Sequence, residues 1–143
     1  MPRIRRRAHV PYTAQQMFDL VNDVEAYPKF LHWCAGARVE SADDSHIEAT
    51  LDIGIAGLHK SFRTRNTLER PSRITMALVS GPFRRLDGAW EFTSSPSGGA
   101  DITLSLDYEI SHSALGFVLA KAFEEVARSQ VSAFVRRAGE VYG

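Results

Sequence analysis

The sequence predicts an α+β domain in which a curved antiparallel sheet wraps around one long C-terminal helix. Three observations predict this fold: apolar and polar residues alternate through most of 47–110, an amphipathic helical stripe follows from residue 115, and a helix-start signal lies near residue 13. The predicted order is one strand, two short helices, about six further strands and the long helix. There is no internal repeat and no linker, so we expect residues 1–143 to form a single domain.

The N-terminal part is predicted to hold the first strand and the two short helices. In residues 3–10 a mixed face of Ile4, Arg6, Ala8 and Val10 alternates with a basic face of Arg3, Arg5, Arg7 and His9. Thr13 and Gln16 form a capping box, which starts a helix at about Ala14. A second short helical piece follows, and Pro28 breaks it or begins a turn.

Alternation with a period of two predicts the remaining strands. The clearest inward sets are Ile47, Ala49, Leu51, Ile53 and Ile55 in one strand and Ile102, Leu104, Leu106, Tyr108 and Ile110 in the last. Turn residues separate the strands at 54–57, at Pro71, at Gly81-Pro82 and at 94–99. Strands with one apolar and one polar face are typical of an antiparallel sheet that is half exposed to water.

The C-terminal region carries apolar residues at helical spacing. They are Leu115, Val118, Leu119, Ala122, Phe123 and Val126, followed more loosely by Gln130, Ala133, Phe134 and Val141. A helix of about 26 residues would be roughly 40 Å long. It must lie across the sheet, because it cannot bury this stripe alone.

A bent sheet around one helix can enclose a cavity, and the inward residues predict its wall. The apolar candidates for ligand contact are Leu51, Ile53, Phe62, Met76, Leu78, Trp90, Leu104, Leu106, Leu119 and Phe123, and the polar ones are Asn66, Tyr108 and Gln130. An empty cavity of about 300 Å³ would cost roughly 7 kcal/mol, so a cavity of that size implies a lipid-like or aromatic occupant. The same stripes are also compatible with a solid core.

Composition excludes several classes of function. With 17 basic and 17 acidic residues the net charge is zero, which gives no global attraction to nucleic acid or anionic membranes. Cys34 is the only cysteine, and no apolar run is long enough to span a bilayer, so we expect a cytoplasmic protein with no transmembrane segment. The histidines, His9, His32, His46, His59 and His112, lack metal-site spacing, and we predict no metal.

The sequence contains no catalytic motif. It lacks a nucleophile elbow, a phosphate loop and a dinucleotide-binding turn, and Cys34 is flanked by Trp33 and Ala35 in the manner of a buried apolar residue. The polar residues on inward phases are good hydrogen-bond partners and poor proton-transfer groups at neutral pH. We therefore predict that the protein is not an enzyme and requires no cofactor.

Outward arginines offer a second kind of site. Arg63 and Arg65 share one strand face, and Arg84 and Arg85 lie near a turn. Together they could bind RNA phosphates. Solvated sheet faces carry arginines as well, and the pattern does not separate these two interpretations.

Several strings resemble a known family. They are VPYTAQQMFDLVNDVEAYPKFLHWC (10–34), FRTRNTL (62–68), GPFRRLDGAWEF (81–92) and AFVRRAGEVY (133–142). They are similar to the coenzyme Q-binding branch of the START-like, helix-grip superfamily, which also contains polyketide cyclases and dehydrases. The likeness covers nearly the whole chain. It implies a seven-stranded antiparallel sheet that grips the C-terminal helix around a hydrophobic tunnel.

The resemblance implies three functions. The first is a bacterial carrier or chaperone that binds a ubiquinone-type polyprenyl quinone or lipid, supports respiration and touches membranes transiently. The second is a translation regulator, because members of this branch bind the large ribosomal subunit and block subunit joining. The third and least favoured is a cyclase-like enzyme, whose chemistry needs an acid or base in the tunnel.

One position departs from the family pattern. The family usually has proline before its WC or GC pair, and this chain has His32. The histidine could donate a hydrogen bond to a quinone carbonyl. We favour the simpler interpretation, a substitution at the surface.

Overall fold

The computed structural model describes residues 3–55, 57–110 and 113–143, with the backbone alone at 114 and 115. The elements in chain order are β1 (Arg3–Val10), α1 (Ala14–Asn22), a 3₁₀ helix (Val24–Lys29), β2 (Cys34–Ala42), β3 (His46–Ile55), β4 (Leu58–Glu69), β5 (Arg73–Ser80), β6 (Phe83–Ser94), β7 (Ala100–Ile110) and α2 (Ala114–Tyr142). This order confirms the predicted α+β fold, with two short helices after the first strand.

The strands form one antiparallel sheet of seven strands. Their order is β1-β7-β6-β5-β4-β3-β2, so the first strand pairs with the last and β1 and β2 are the edges. Register shifts interrupt β2 opposite β3, β4 opposite β5, and β6 opposite β7. Such irregularities increase local twist and bend a sheet, as a sheet that wraps around a helix requires.

The helix α1 begins where the capping box predicts. The backbone N–H of Gln16 donates to the Thr13 hydroxyl at 3.0 Å, and the backbone N–H of Thr13 donates to the Gln16 side chain at 2.9 Å. Its apolar residues Met17, Phe18 and Val21 are buried. These two reciprocal hydrogen bonds satisfy backbone N–H groups that have no partner within the helix. They therefore fix the residue at which α1 begins.

The helix α2 lies over the apolar face of the sheet and carries two aromatic clusters. The Phe134 cluster consists of Phe134, Tyr27, Phe30 and Trp90, with ring centroids 5.1–5.4 Å from Phe134. The Phe123 cluster consists of Phe123, Phe83 and Tyr108, with both centroids 4.8 Å from Phe123. Edge-to-face contacts of this kind stabilise a core beyond the area they bury.

The stripe of α2 differs in part from the predicted one. Val118 and Val141 are 50% and 48% exposed, whereas Ala127, Val131 and Ala138 are buried. The predicted position of Leu115 lies outside the described side chains. The helix has 29 residues, and over that length a 3.6-residue period drifts away from any fixed spacing pattern. No helix in the described part of the chain is both long and apolar enough to cross a membrane.

Candidate ligand-binding site

A cavity of about 80 Å³ lies between the sheet, α2 and the segment that contains the 3₁₀ helix. The sheet contributes Ala49, Leu51, Phe62, Thr64, Asn66, Met76, Leu86, Trp90, Leu104 and Leu106, the helix α2 contributes Phe123, Val126, Ala127 and Gln130, and the third side consists of Val24, Tyr27 and Trp33. The wall is therefore mostly apolar, with a few polar side chains, which is the usual composition of a small-molecule site.

Most of the residues predicted for ligand contact lie in this wall. They are Leu51, Phe62, Asn66, Met76, Trp90, Leu104, Leu106, Phe123 and Gln130. Ile53, Leu78, Tyr108 and Leu119 do not line the cavity. Tyr108 instead packs on Phe123 in the Phe123 cluster. Period-two alternation identifies the face on which a residue lies but not its distance from the cavity along the strand.

The cavity is smaller than expected. Its 80 Å³ compares with about 150 Å³ for an engineered cavity that binds benzene. If dry, it would cost about 2 kcal/mol, which a domain of this size tolerates. Both sequence-based interpretations are thus met in part: most of the interior is a solid core, and a small apolar space remains.

Gly88 shapes the floor of the cavity at the middle of the sheet. It lies on the inward face of β6, opposite Met76 on one side and Leu106 on the other. A Cβ atom at this position would lie 2.6 Å from Leu106 Cδ2 and 2.8 Å from Met76 Cε. The ends of these two flexible side chains therefore occupy the room that the glycine leaves, and they form the movable part of the cavity floor.

Two hydrogen bonds organise the polar part of the wall. The indole Nε1 of Trp33 donates to Oε1 of Gln130 at 3.1 Å, which ties the start of β2 to α2. On β4 the hydroxyl of Thr64 donates to Oδ1 of Asn66 at 3.0 Å. Asn66 and Gln130 thus lie on opposite walls, one on the sheet and one on the helix, and each is held by its amide oxygen.

The cavity offers little for acid–base chemistry. Among the described residues that line it, none is Asp, Glu, His, Lys or Arg. Burial raises the pKa of the Tyr27 phenol above its ordinary value, and this hydroxyl donates to the Val21 carbonyl. Cys34 is buried beside Trp33, and burial raises its pKa to about 11, so the thiolate is scarce at neutral pH.

His32 lies away from the cavity. Its side chain is exposed, and it is absent from the described cavity wall. This position favours the surface-substitution interpretation over a hydrogen bond to a ligand. His112 lies outside the described residues.

The four arginines proposed for RNA contact all have carboxylate partners. Arg63 pairs with Glu48 and Glu40, and Arg65 approaches Glu48 at 3.9 Å. The guanidinium of Arg84 lies 3.5 Å from Glu109, and that of Arg85 lies 2.5 Å from Asp107. The outer face of the sheet is therefore a mixed-charge surface around these residues, not a purely basic one.

The edge strand β1 carries arginines without carboxylate partners in the described part of the chain, unlike the mixed-charge surface around Arg63, Arg65, Arg84 and Arg85. Arg5, Arg6 and Arg7 have no carboxylate within 4.0 Å among the residues that the structure describes, and all three are exposed. The register places them opposite Ser105, Leu104 and Thr103, and the side-chain contacts of β1 with carboxylates of β7, Arg3–Asp107 and His9–Asp101, lie towards the two ends of the strand. We name Arg5, Arg6 and Arg7 the arginine edge.

The seven-stranded sheet, the long helix α2 and the apolar cavity between them are those of a START-like domain. The family described as polyketide cyclase / dehydrase and lipid transport matches residues 10–135. The chain belongs to this family, as the sequence resemblance predicts.

The chain is similar to proteins that carry different names. "Persistence and stress-resistance toxin PasT" of Escherichia coli O6:H1 is 42% identical over 99% of this chain and 90% of that protein. "Ribosome association toxin RatA" of Vibrio cholerae serotype O1 is 41% identical over 100% of this chain and 99% of that protein. The mitochondrial "Coenzyme Q-binding protein COQ10 homolog B" of Xenopus laevis is 29% identical over 92% of this chain and 56% of that protein.

Solved structures show the same fold. The 18 kDa protein CC1736 from Caulobacter crescentus has a TM-score of 0.77, with 29% identity over 100% of this chain and 99% of the other. The Zhui aromatase/cyclase from Streptomyces sp. R1128 has a TM-score of 0.85, with 13% identity over 99% and 96%. This chain and the Zhui aromatase/cyclase share the fold alone, because so low a sequence identity carries no functional information.

Proposed function

We propose that the protein binds a hydrophobic ligand with a carbonyl-bearing head, a polyprenyl quinone or a related lipid, and acts as its carrier or chaperone. The observation that carries this proposal is the apolar cavity with two amide side chains on opposite walls. The family's description as lipid transport and the likeness to a protein named for coenzyme Q binding support it. The lack of Asp, Glu, His, Lys and Arg in the described wall favours binding over catalysis.

A ligand of this class needs more space than the cavity offers. Each buried methylene contributes about 0.8 kcal/mol, so even a short isoprenoid chain supplies enough free energy to displace movable side chains. Met76 and Leu106 are half-buried and flexible, and they lie at the floor above Gly88. We expect ligand entry to push these two side chains aside and leave the backbone of the sheet in place.

The first experiment identifies the ligand. Protein purified without detergent is extracted with organic solvent, and the extract is analysed by mass spectrometry. A quinone or lipid near one molecule per protein is the expected result. An extract without any apolar molecule, together with failure of the protein to take up quinone afterwards, contradicts the proposal.

A charge in the cavity wall should abolish binding. Leu106→Asp or Phe123→Asp places a carboxylate that has no partner in an apolar site, and we expect quinone binding to fall below detection. Phe117→Asp is the matched control, because Phe117 is on the same helix as Phe123 but is 75% exposed. Isothermal titration calorimetry measures the affinity, and circular dichroism shows whether each variant is folded. Unchanged affinity in a folded cavity variant would rule out this site.

Association with the large ribosomal subunit is a second candidate function. The Vibrio cholerae relative named for ribosome association is 41% identical to this chain over its full length. The arginine edge provides a suitable surface, since guanidinium groups bind phosphate in a bidentate manner and no described carboxylate competes for them. Alternate N–H groups of an edge strand also point away from the sheet and are free to bind an acceptor.

A matched pair of double variants tests this candidate. Arg5→Gln with Arg7→Gln should weaken co-sedimentation with large subunits and reduce the salt-dependence slope by roughly 0.7–0.9 per arginine. Arg84→Gln with Arg85→Gln removes the same charge from residues already paired with carboxylates, and we expect a smaller effect. Absence of co-sedimentation of the unaltered protein at about 50 mM salt contradicts ribosome association itself. Equal loss in both variants contradicts the role of the arginine edge.

A further inference from the structure

The hydrogen bonds at the cavity leave a specific set of groups available to a ligand. The Trp33 indole is a donor only, so the group it meets on Gln130 has to be the amide oxygen, and Nε2 of Gln130 faces the other way. The Thr64 hydroxyl likewise engages Oδ1 of Asn66. Neither Nδ2 of Asn66 nor Nε2 of Gln130 has a partner among the described residues. Two amide NH₂ groups are therefore the unpaired polar groups of the wall.

The other polar groups of the wall are already in use. The Tyr27 hydroxyl donates to the Val21 carbonyl, and the Trp33 N–H is engaged by Gln130. The acceptors that remain are second lone pairs on oxygens that already take part in a hydrogen bond. The cavity thus has an excess of donors, and it favours a ligand whose polar atoms only accept.

The positions of the two donors narrow the ligand further. Asn66 lies on β4, in the inward row that continues through Met76 and Gly88 to Leu106, whereas Gln130 lies on α2 above the sheet. A 1,4-quinone carries its two carbonyls at opposite ends of a flat apolar ring. One carbonyl can therefore accept from the sheet side and the other from the helix side, with the ring among the aromatic and aliphatic residues between them.

We infer that the cavity distinguishes the redox states of its ligand and binds an oxidised 1,4-quinone in preference to the corresponding quinol. The inference rests on the proposed function and specifies its ligand. In the oxidised form both carbonyls accept from Asn66 and Gln130, and no donor is left unpaired on the ligand. In the quinol each oxygen carries a hydrogen that needs an acceptor. The amide oxygens of Asn66 and Gln130 already accept from Thr64 and Trp33. The buried hydroxyls of the quinol are therefore poorly paired, which weakens binding.

The test compares the two redox forms of one ligand. Decylubiquinone and decylubiquinol are titrated into the protein anaerobically, with decylbenzene as a probe of the same chain length that has no polar head. We expect the quinone to bind about tenfold more tightly than the quinol, since one net hydrogen bond corresponds to roughly that factor. Asn66→Leu and Gln130→Met should each bring the ratio of the two affinities towards one, whereas decylbenzene, which has no polar head, should still bind to both variants.

A matched control separates loss of the donors from general damage to the fold. Ser129→Ala also removes a polar group from α2, but the Ser129 hydroxyl donates to the Val126 carbonyl of its own helix and not to the cavity. This variant should keep the tenfold preference. Asn66→Leu leaves the Trp33–Gln130 hydrogen bond intact, so it remains informative if Gln130→Met does not fold.

The outcomes distinguish failure of the inference from failure of the proposed function. Equal affinity for quinone and quinol, or tighter binding of the quinol, overturns redox selectivity and leaves hydrophobic-ligand binding in place. Retention of the preference in both folded amide variants overturns the roles of Asn66 and Gln130. If none of the three probes binds, the proposed function fails and the inference fails with it.

Discussion

The two halves of α2 are held to the rest of the protein in different ways. In the C-terminal half Phe134 is fully buried at the centre of its aromatic cluster, and near the end of the helix the Tyr142 hydroxyl donates to the Gln16 carbonyl at 2.8 Å. In the N-terminal half Phe123 is buried, but Phe117 and Val118 are 75% and 50% exposed. One helix thus anchors the fold at one end and borders the cavity near its middle.

The difference shows how a small domain can keep a stable core in one region and an unfilled cavity in another. The residues that hold the helix on the sheet need close packing. A cavity is tolerated where neighbouring contacts keep the backbone in place. We call residues 131–142 the anchored half of α2 and residues 116–124 the exposed half. Substitutions in each half test whether the anchored half contributes more to the free energy of unfolding than the exposed half does.

The largest effect is expected at the centre of the anchored half. Phe134→Ala removes a buried ring that contacts Tyr27, Phe30 and Trp90, and it should reduce the free energy of unfolding by about 3–5 kcal/mol. Phe117→Ala removes the same ring from the exposed half and should change stability by no more than about 0.5 kcal/mol. Urea unfolding monitored by circular dichroism gives both values. Similar losses would show that the two halves do not differ.

An intermediate effect is expected from pH, through the buried thiol of Cys34 at the start of β2. Its backbone N–H donates to the Leu31 carbonyl, and burial raises the thiol pKa from 9.0 to about 11. Since the unfolded chain releases this proton first, the free energy of unfolding should be unaffected below pH 9 and should fall as the pH rises from 9 towards 11.

Cys34→Ala isolates this contribution from the other groups that titrate in the same range. The variant lacks the thiol, so its stability should fall less steeply than that of the unaltered protein between pH 9 and 11. Urea unfolding at several pH values measures both slopes. Parallel curves would show that the thiol of Cys34 is not protected in the folded state.

The smallest effect is expected at the end of the anchored half. Tyr142→Phe removes the hydroxyl that donates to the Gln16 carbonyl and keeps the ring that packs on Tyr12 at 5.6 Å. Because this hydrogen bond is only partly buried, we expect a loss of about 1 kcal/mol. Thermal unfolding measures it. A loss as large as that of Phe134→Ala would mean that the helix end, and not the aromatic cluster, anchors α2.

The sequence was sufficient for the fold because the local signals agree. Period-two alternation, the Thr13–Gln16 capping box and the glycine and proline turns each place an element where the structure has it. The exposed positions of Val118 and Val141 were not predictable, because spacing alone does not show where a long helix runs past the edge of the sheet.

The candidate site was predictable only in part. Asn66 and Gln130 were found from their inward phase, but Tyr27 and Trp33 were missed, because a 3₁₀ helix and its flanking turn have no period that marks a buried face. Ala49 was predicted to face inward but not to line the cavity, and Ala127 gave no signal. Whether an outward arginine is paired depends on strand register, and alternation alone does not determine which residues lie opposite each other.

Both tryptophans of the chain, Trp33 and Trp90, lie in the wall of the cavity. Every indole that can fluoresce is therefore in direct reach of an occupant, and none is elsewhere to contribute background emission. Trp33 reports on the helix side through its hydrogen bond to Gln130, and Trp90 reports on the sheet side. The intrinsic tryptophan fluorescence therefore reports on the cavity. Quenching of the emission indicates that the cavity is occupied, and a shift of the emission wavelength indicates that the Trp33–Gln130 hydrogen bond is broken.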